Sequence, residues 1–296
     1  MRDAPRHMCR LFGMTAGAHR TDAAFWLLEA PDSLSVQSRR EPDGTGLGWF
    51  GDDGTPWVDK AAIAAWEDAA FALEARELCS ANYLAHVRFA STGGLRPENT
   101  HPFVQDGRML AHNGVIEGLG VLERALGDYR SLVAGETDSE RFFALVTRQI
   151  HAHDGDVGAG LAAAARWAAR ELPLYALNVI LASGDEQWAL RYPETNDLYV
   201  LERGAGGPAG SERLDHASST GRIHVSCGDL AEAPAVVFAT EPMDDDPGWR
   251  NLEPGELVHV DARLNVSSEI AIDEPPVHPL SLGELHPDAA RSQQHV

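Results

Sequence analysis

The sequence predicts an α+β domain in which antiparallel sheets are covered by helices. Two observations carry this. Strand-like runs at 82–90, 108–112, 175–182, 187–192, 197–202, 235–240 and 256–261 recur at hairpin-like intervals. Helical segments at 22–29, 60–78, 119–133, 139–151 and 157–172 fall mostly in the first half. Such segregation of strands and helices along a chain favours antiparallel sheets with helical cover.

At 296 residues and 44% hydrophobic content, one large domain can bury a good core, and a second core is not required. No internal repeat is visible. The stretch 204–210 is rich in glycine and reads as a flexible loop. From about Asp273 prolines repeat and apolar residues thin out, so residues 273–296 read as a polar tail, disordered or loosely draped.

Taken along the chain, the first chemical feature is Cys9, directly after Met8 in Met8-Cys9-Arg10-Leu11-Phe12-Gly13. If translation begins at Met8 and the methionine is removed, Cys9 becomes the first residue. Thiol and free α-amine then sit on one residue, and the amine can act as a local general base for the thiol. A free cysteine with a pKa of ~8.5 is only slightly ionised at neutral pH, so a neighbouring base raises the reactive fraction. The plainer alternative is a small apolar residue opening a first strand.

The 60–78 helix ends at Cys79, and Cys227 follows a short strand-like run; both read as buried or inert. Three widely spaced cysteines argue against a disulfide framework and for a reducing compartment. The 82–90 run carries His86 and Arg88 and is turned away by the small residues Ser91 to Gly94. The 108–112 run leads into Asn113-Gly114, a strong hairpin-turn signal in its own right. Thr137-x-x-Glu140 looks like a capping box opening the next helix, with Phe143, Leu145, Val146 and Ile150 on its apolar face. Asp138 then lies in the first turn, where a carboxylate is stabilised by the helix N-terminus.

A formal net charge of -21 disfavours nonspecific binding to nucleic acid or to an anionic membrane. No signal peptide is visible and no apolar stretch approaches ~20 residues, so a cytoplasmic location is expected. His86, His101 and His112 lack the short His-x3-His or Cys-x2-Cys spacings of zinc sites. They read as packing and hydrogen-bonding residues, and no cofactor or metal is expected.

Cys9, the run from Leu84 to Gly94, Asn99-Thr100-His101-Pro102-Phe103, Leu110 to Ile116 and Glu136-Thr137-Asp138-Ser139-Glu140 together resemble the class II glutamine amidotransferases, which are N-terminal-nucleophile hydrolases. Ala239-Thr240-Glu241-Pro242 and Gly248-Trp249 resemble the single-domain branch that includes the ergothioneine-pathway γ-glutamyl hydrolases. Pro42-Asp43-Gly44 and Gly46-Leu47-Gly48-Trp49-Phe50 also match a family segment, with threonine at 45 where an aromatic is common. The resemblance covers roughly residues 8 to 265, and several motifs in the right order make chance unlikely.

The resemblance implies a four-layer αββα sandwich, two antiparallel sheets between helical layers, spanning residues 9–272. It also implies site roles. Cys9 attacks a γ-glutamyl amide, and Asn113 with the Gly114 N–H stabilises the oxyanion, donors typically worth ~3 kcal/mol each. Arg88, with its fork of donors, suits the α-carboxylate; Ser91 is a further substrate-binding candidate, and Asp138 holds the α-ammonium. The expected ligand is glutamine or a γ-glutamyl small molecule. Released ammonia could serve a separate acceptor-enzyme subunit, the stand-alone glutaminase alternative, and a non-catalytic glutamine-binding module is the other. Association into a homo-oligomer is left open. Residues 1–8 depart from the pattern, because a retained extension blocks the α-amine; they are expected to be absent or removed in the active form.

Overall fold

Among the described residues, three of the four hydrophobic clusters define the layering. The computed structural model describes residues 9–40, 42–89, 94–205 and 233–293. Met1 to Met8, Ser91, most of the 204–210 loop and Cys227 lie outside the described residues.

One seven-stranded sheet contains β1 (Arg10–Thr15), β2 (Gly44–Phe50), β3 (Pro56–Ala61), β4 (Asn82–Arg88), β9 (Tyr199–Arg203), β10 (Ala235–Ala239) and β11 (Arg250–Asn251). Their order is β11-β9-β10-β1-β4-β2-β3, with antiparallel neighbours. The second sheet contains β5 (Phe103–Gln105), β6 (Arg108–Ile116), β7 (Pro173–Ser183), β8 (Glu186–Leu190), β12 (Glu256–Val260) and β13 (Val266–Ile270). It runs β13-β12-β8-β7-β6-β5, also antiparallel, and the two-residue β14 (His278–Pro279) adds to β7 in parallel.

Between the sheets, Leu11, Phe50, Leu84 and Phe238 of the first meet Met109, Ala111, Ile180 and Val258 of the second. The outer face of the second sheet is covered by α3 (Leu119–Leu126), α4 (Asp138–Ala152) and α5 (Val157–Glu171), through Leu122, Phe142, Phe143, Leu145, Ile150, Leu161 and Ala165. The outer face of the first is covered by α1 (Leu34–Gln37), α2 (Ala69–Glu77) and the segment around Trp26 and Leu27. Three apolar interfaces separate four layers, helix–sheet–sheet–helix, so the expected αββα sandwich is what the chain forms. Burying both faces of both sheets explains why strands such as β7 read as nearly continuous apolar runs.

Several local expectations are corrected. The 60–78 helix is only α2, because Lys60 and Ala61 close the β2–β3 hairpin and Asp68 caps the helix by accepting from Ala70 and Phe71. The 22–29 helix is a single wide turn, Phe25–Glu29. Residues 273–293 are packed rather than loose: β14 pairs with β7, and Leu285 and Ala289, the latter on α6 (Pro287–Arg291), bury against Val115, Tyr175 and Ala176. Cys79 is disulfide-bonded, against the expectation of a chain without disulfides. Among the described residues no helix is long and apolar enough to cross a membrane.

Candidate active site

The site is assembled where strand ends of the two sheets meet. In the first sheet Arg10 lies opposite Val87, so Cys9, one residue ahead of β1, falls beside the chain leaving β4. The Phe89 N–H donates to Cys9 Sγ at 3.3 Å, and the thiol lies 3.4 Å from the Phe89 carbonyl.

Arg88 is the last residue of β4, as the strand reading placed it. It is 4% exposed, and its Nη1 donates to the Gly94 carbonyl at 3.2 Å. Burial pushes its pKa down, while the charges of Cys9, Asp43 and Asp138 act to raise it. Asn99 braces this corner: its amide donates to the Gly94 carbonyl and to Glu136, and its side-chain oxygen accepts from the Glu136 N–H at 2.9 Å. That hydrogen bond from Asn99 is the main cause holding the Glu136 carboxyl below its usual range.

Asn113 and Gly114 are not a hairpin turn. Both lie inside β6, opposite Asn178 and Leu177 of β7. The turn is two residues earlier than β6, at Asp106-Gly107, where φ is 50° and 73°, the positive pair of a two-residue hairpin. This turn makes Gln105 and Arg108 the first ladder pair, so even-numbered N–H groups of β6 point towards β5. Because β5 ends at Phe103 opposite Leu110, the N–H of Gly114 emerges past its end. The Gly114 backbone also presses against its neighbours: a Cβ there would lie 1.9 Å from the Ala176 oxygen and 2.7 Å from His112 Nε2. From β6 the Asn113 amide reaches across to donate to the Cys9 carbonyl at 2.8 Å.

The α4 N-terminus supplies the acid. Thr137 caps it, accepting from Glu140 N, while the Glu140 carboxylate turns back to Ala134 N and Gly135 N rather than closing a reciprocal box. Asp138 is 3% exposed, and its Oδ2 accepts from the Ile116 N–H at 2.9 Å, which ties the helix to the end of β6. Ser139 Oγ lies 2.9 Å from His112 Nδ1 and 3.4 Å from Asp138 Oδ1.

The rings of His86 and His101 lie 4.3 Å apart between centroids, tilted by 46°, and both are buried with no hydrogen-bond partner at either nitrogen. The expectation of hydrogen bonding therefore holds only for His112. Burial pushes His86 down to about 3, helped by Arg88 and His112, and drives His101 well below its ordinary value; His112 is lowered too, with Asp138 opposing. Three neutral imidazoles thus floor the pocket. Among the described residues no group of His, Cys, Asp and Glu is disposed to hold a metal ion.

Cys9, His86, Arg88, Phe89, Asn99, His101, His112, Gly114, Thr137, Asp138 and Ser139 line a single narrow pocket. It offers a thiol, a buried guanidinium, a buried carboxylate and a backbone donor around one cavity, a set that can hold an amino acid by both α-groups while presenting its side chain to sulfur. Ser91, the remaining candidate, lies outside the described residues. Asn99 and Ser139 join the site without a sequence signal of their own beyond standing within the motifs that carry the resemblance. The late motif is structural: Glu241 pairs with Arg10 at 2.5 Å and Trp249 packs edge-on to Trp26. Thr45, where an aromatic is common, is buried and donates to the Ile63 carbonyl at 2.9 Å. Its neighbour Gly46 is needed because a Cβ would lie 1.9 Å from the His101 oxygen.

The family model for class II glutamine amidotransferases matches residues 8–275. Gamma-glutamyl-hercynylcysteine sulfoxide hydrolase of Mycolicibacterium smegmatis is 32% identical over 273 residues, 88% of this chain and 99% of that protein. Among solved structures, a glutamine aminotransferase class-II domain protein from Silicibacter pomeroyi superposes with a TM-score of 0.58 at 19% identity, covering 88% of this chain and 98% of that one. The glutamine phosphoribosylpyrophosphate amidotransferase of B. subtilis gives 0.62 at 20% identity, covering 90% of this chain but half of its own longer chain. The two structural likenesses speak for the fold, and the match over most of the chain decides the family: the chain belongs to the class II glutamine amidotransferase family.

Proposed function

We propose that the protein hydrolyses a γ-glutamyl amide through a thioester on Cys9, releasing an amine or ammonia and then glutamate. The observation that carries this is the convergence of Cys9, Arg88, Asp138 and Gly114 on one pocket. Arg88 takes the α-carboxylate and Asp138 the α-ammonium, which directs the γ-carbonyl carbon to Cys9 Sγ. The Cys9 α-amine accepts the thiol proton, and sulfur adds to the carbonyl. Asn113 Nδ2 and the Gly114 N–H stabilise the tetrahedral oxyanion. The C–N bond breaks as the leaving nitrogen takes the proton, and one water then cleaves the thioester to give glutamate and free Cys9.

This chemistry requires Cys9 to be the first residue, so the active form is proposed to begin there, without residues 1–8. The likeness to a γ-glutamyl hydrolase along almost its whole length favours a conjugate as substrate over a glutaminase subunit serving a partner.

The test is turnover of γ-glutamyl amines against free glutamine by protein whose N-terminus has been established by intact mass. Hydrolysis by the Cys9 form, with loss in Cys9→Ala, supports the proposal. Equal turnover by a form that retains residues 1–8 would overturn it, and a preference for free glutamine would favour the glutaminase reading.

A further inference from the structure

Asp138 is met at both carboxylate oxygens, on one side by a backbone N–H of β6 and on the other by Ser139, its neighbour on α4, which itself contacts His112 of β6. Ile116 N–H donates to Oδ2 at 2.9 Å. Ser139 Oγ donates to Oδ1 at 3.4 Å and lies 2.9 Å from His112 Nδ1. A carboxylate can only accept, so in this contact the Ser139 hydroxyl donates to Asp138 and accepts from the Nδ1–H of the neutral His112 ring, whose Nε2 then carries no proton for the Ala176 carbonyl 3.4 Å away. His112 and Ile116 both belong to β6, and Asn113-Gly114 stands between them. All four side chains or backbone groups in this chain are buried, so water does not compete for them.

We infer that Ser139 is a positioning residue, which with His112 locks the Asp138 carboxylate onto β6 so that the α-ammonium anchor and the oxyanion donors form one rigid body. The inference rests on the substrate-binding reading given above and deepens it. With the link intact, the start of α4, which carries both Asp138 and Ser139, is tied to β6 at two points, and the distance between the anchor and the Asn113-Gly114 donors is held. With the link cut, Asp138 keeps the Ile116 N–H but loses its tie to His112 through Ser139. Only substrates carrying an α-ammonium should register the change, because only they contact Asp138.

The experiment compares a γ-glutamyl anilide with its des-amino counterpart, the glutaric acid monoanilide, on enzyme beginning at Cys9. Ser139→Ala is expected to raise KM for the γ-glutamyl anilide roughly tenfold, with kcat changed less than about threefold, the size of effect expected for one hydrogen bond to a charged group. For the des-amino anilide kcat/KM should stay within about twofold, and Ser139→Thr, which retains the hydroxyl, should restore the γ-glutamyl KM. Equal losses on both substrates, or no change in either, would overturn the positioning role. If Ser139→Ala does not fold, His112→Gln cuts the same link from the other end and is expected to give the same split. Asp138→Asn separates the two readings. It should abolish the preference for the ammonium-bearing substrate; a retained preference would overturn the site reading itself, whereas loss in Asp138→Asn with none in Ser139→Ala overturns only the role of Ser139.

Discussion

The side-chain amide of Asn113 donates to the main-chain carbonyl of Cys9 at 2.8 Å, across 104 residues of sequence. One residue belongs to the second sheet and the other heads the central strand of the first, so this bond fixes the proposed nucleophile to the strand that carries the proposed oxyanion donors. Asn113→Ala is therefore expected to lower kcat by ~10²–10³, the usual cost of one such donor, with a smaller change in KM. Steady-state kinetics on a γ-glutamyl anilide will decide; a kcat within a few-fold of wild type would remove Asn113 from the reaction.

At Gly114 the expected effect is on stability as well as rate. A methyl group there would overlap the Ala176 carbonyl and crowd His112 Nε2, both held by β7 pairing and burial. Overpacking of this kind costs about 1–3 kcal/mol, and Gly114→Ala should melt several degrees below wild type. An unchanged melting temperature would mean that β6 and β7 can separate at this point.

Arg88 presents a rigid fork, whereas lysine offers one compact charge. In Arg88→Lys the positive charge survives but the paired donation to a carboxylate does not. We expect KM for γ-glutamyl substrates to rise at least roughly tenfold, while kcat at saturation falls less. Isothermal titration of glutamate as product, comparing the two proteins, gives the same answer independently of turnover.

The buried imidazoles predict an acid-labile fold. His86 takes a proton in the unfolded chain near its ordinary value of 6.5 but in the folded chain only at about 3, because burial opposes the charge. Below 6.5 the unfolded state therefore binds more protons, and stability falls as pH drops from 6.5 towards 3, by at most about 1.4 kcal/mol per pH unit for this histidine. Above 6.5 the group contributes no pH dependence. Melting temperatures of wild type and His86→Phe from pH 4 to 8 should converge in slope above 6.5 and diverge below it, wild type falling faster; parallel curves would show that His86 titrates normally.

The packed C-terminal region should matter for the whole domain. Leu285 is 6% exposed and sits against Val115, next to Gly114, and against Tyr175 and Ala176. Leu285→Ala is expected to cost about 2–4 kcal/mol, read by urea denaturation, and a loss below about 0.5 kcal/mol would mean that the segment is only draped on the sheet.

Much of the site was legible because its residue types sit in short local patterns. Arg88 at a strand end, the Thr137 cap and the α4 and α5 segments depend on alternation, capping chemistry and helical period, all of which act within a few residues. Where the sequence misled, the reason was a longer-range contact. Asn113-Gly114 has turn chemistry, but Asp106-Gly107 makes the turn and β7 holds Asn113 and Gly114 extended. Lys60 continues an apparently helical run, yet pairing with Gly46 draws it into β3. The sparse apolar residues after Asp273 looked too few to fold, and they fold because β7 and Val115 supply the missing surface.

Sequence by itself determined which chemical groups are present and, through the family motifs, the order in which they occur: the cysteine, the arginine, the Asn-Gly pair and the acid at a helix start. Tertiary structure alone decided that they share one pocket. It set the exit of Gly114 N–H past the end of β5, the reach of Asn113 to Cys9 and the tie from Asp138 to Ile116. These depend on strand register and on the packing of two sheets, and register is fixed by partners some twenty to a hundred residues away, beyond the range of any local preference.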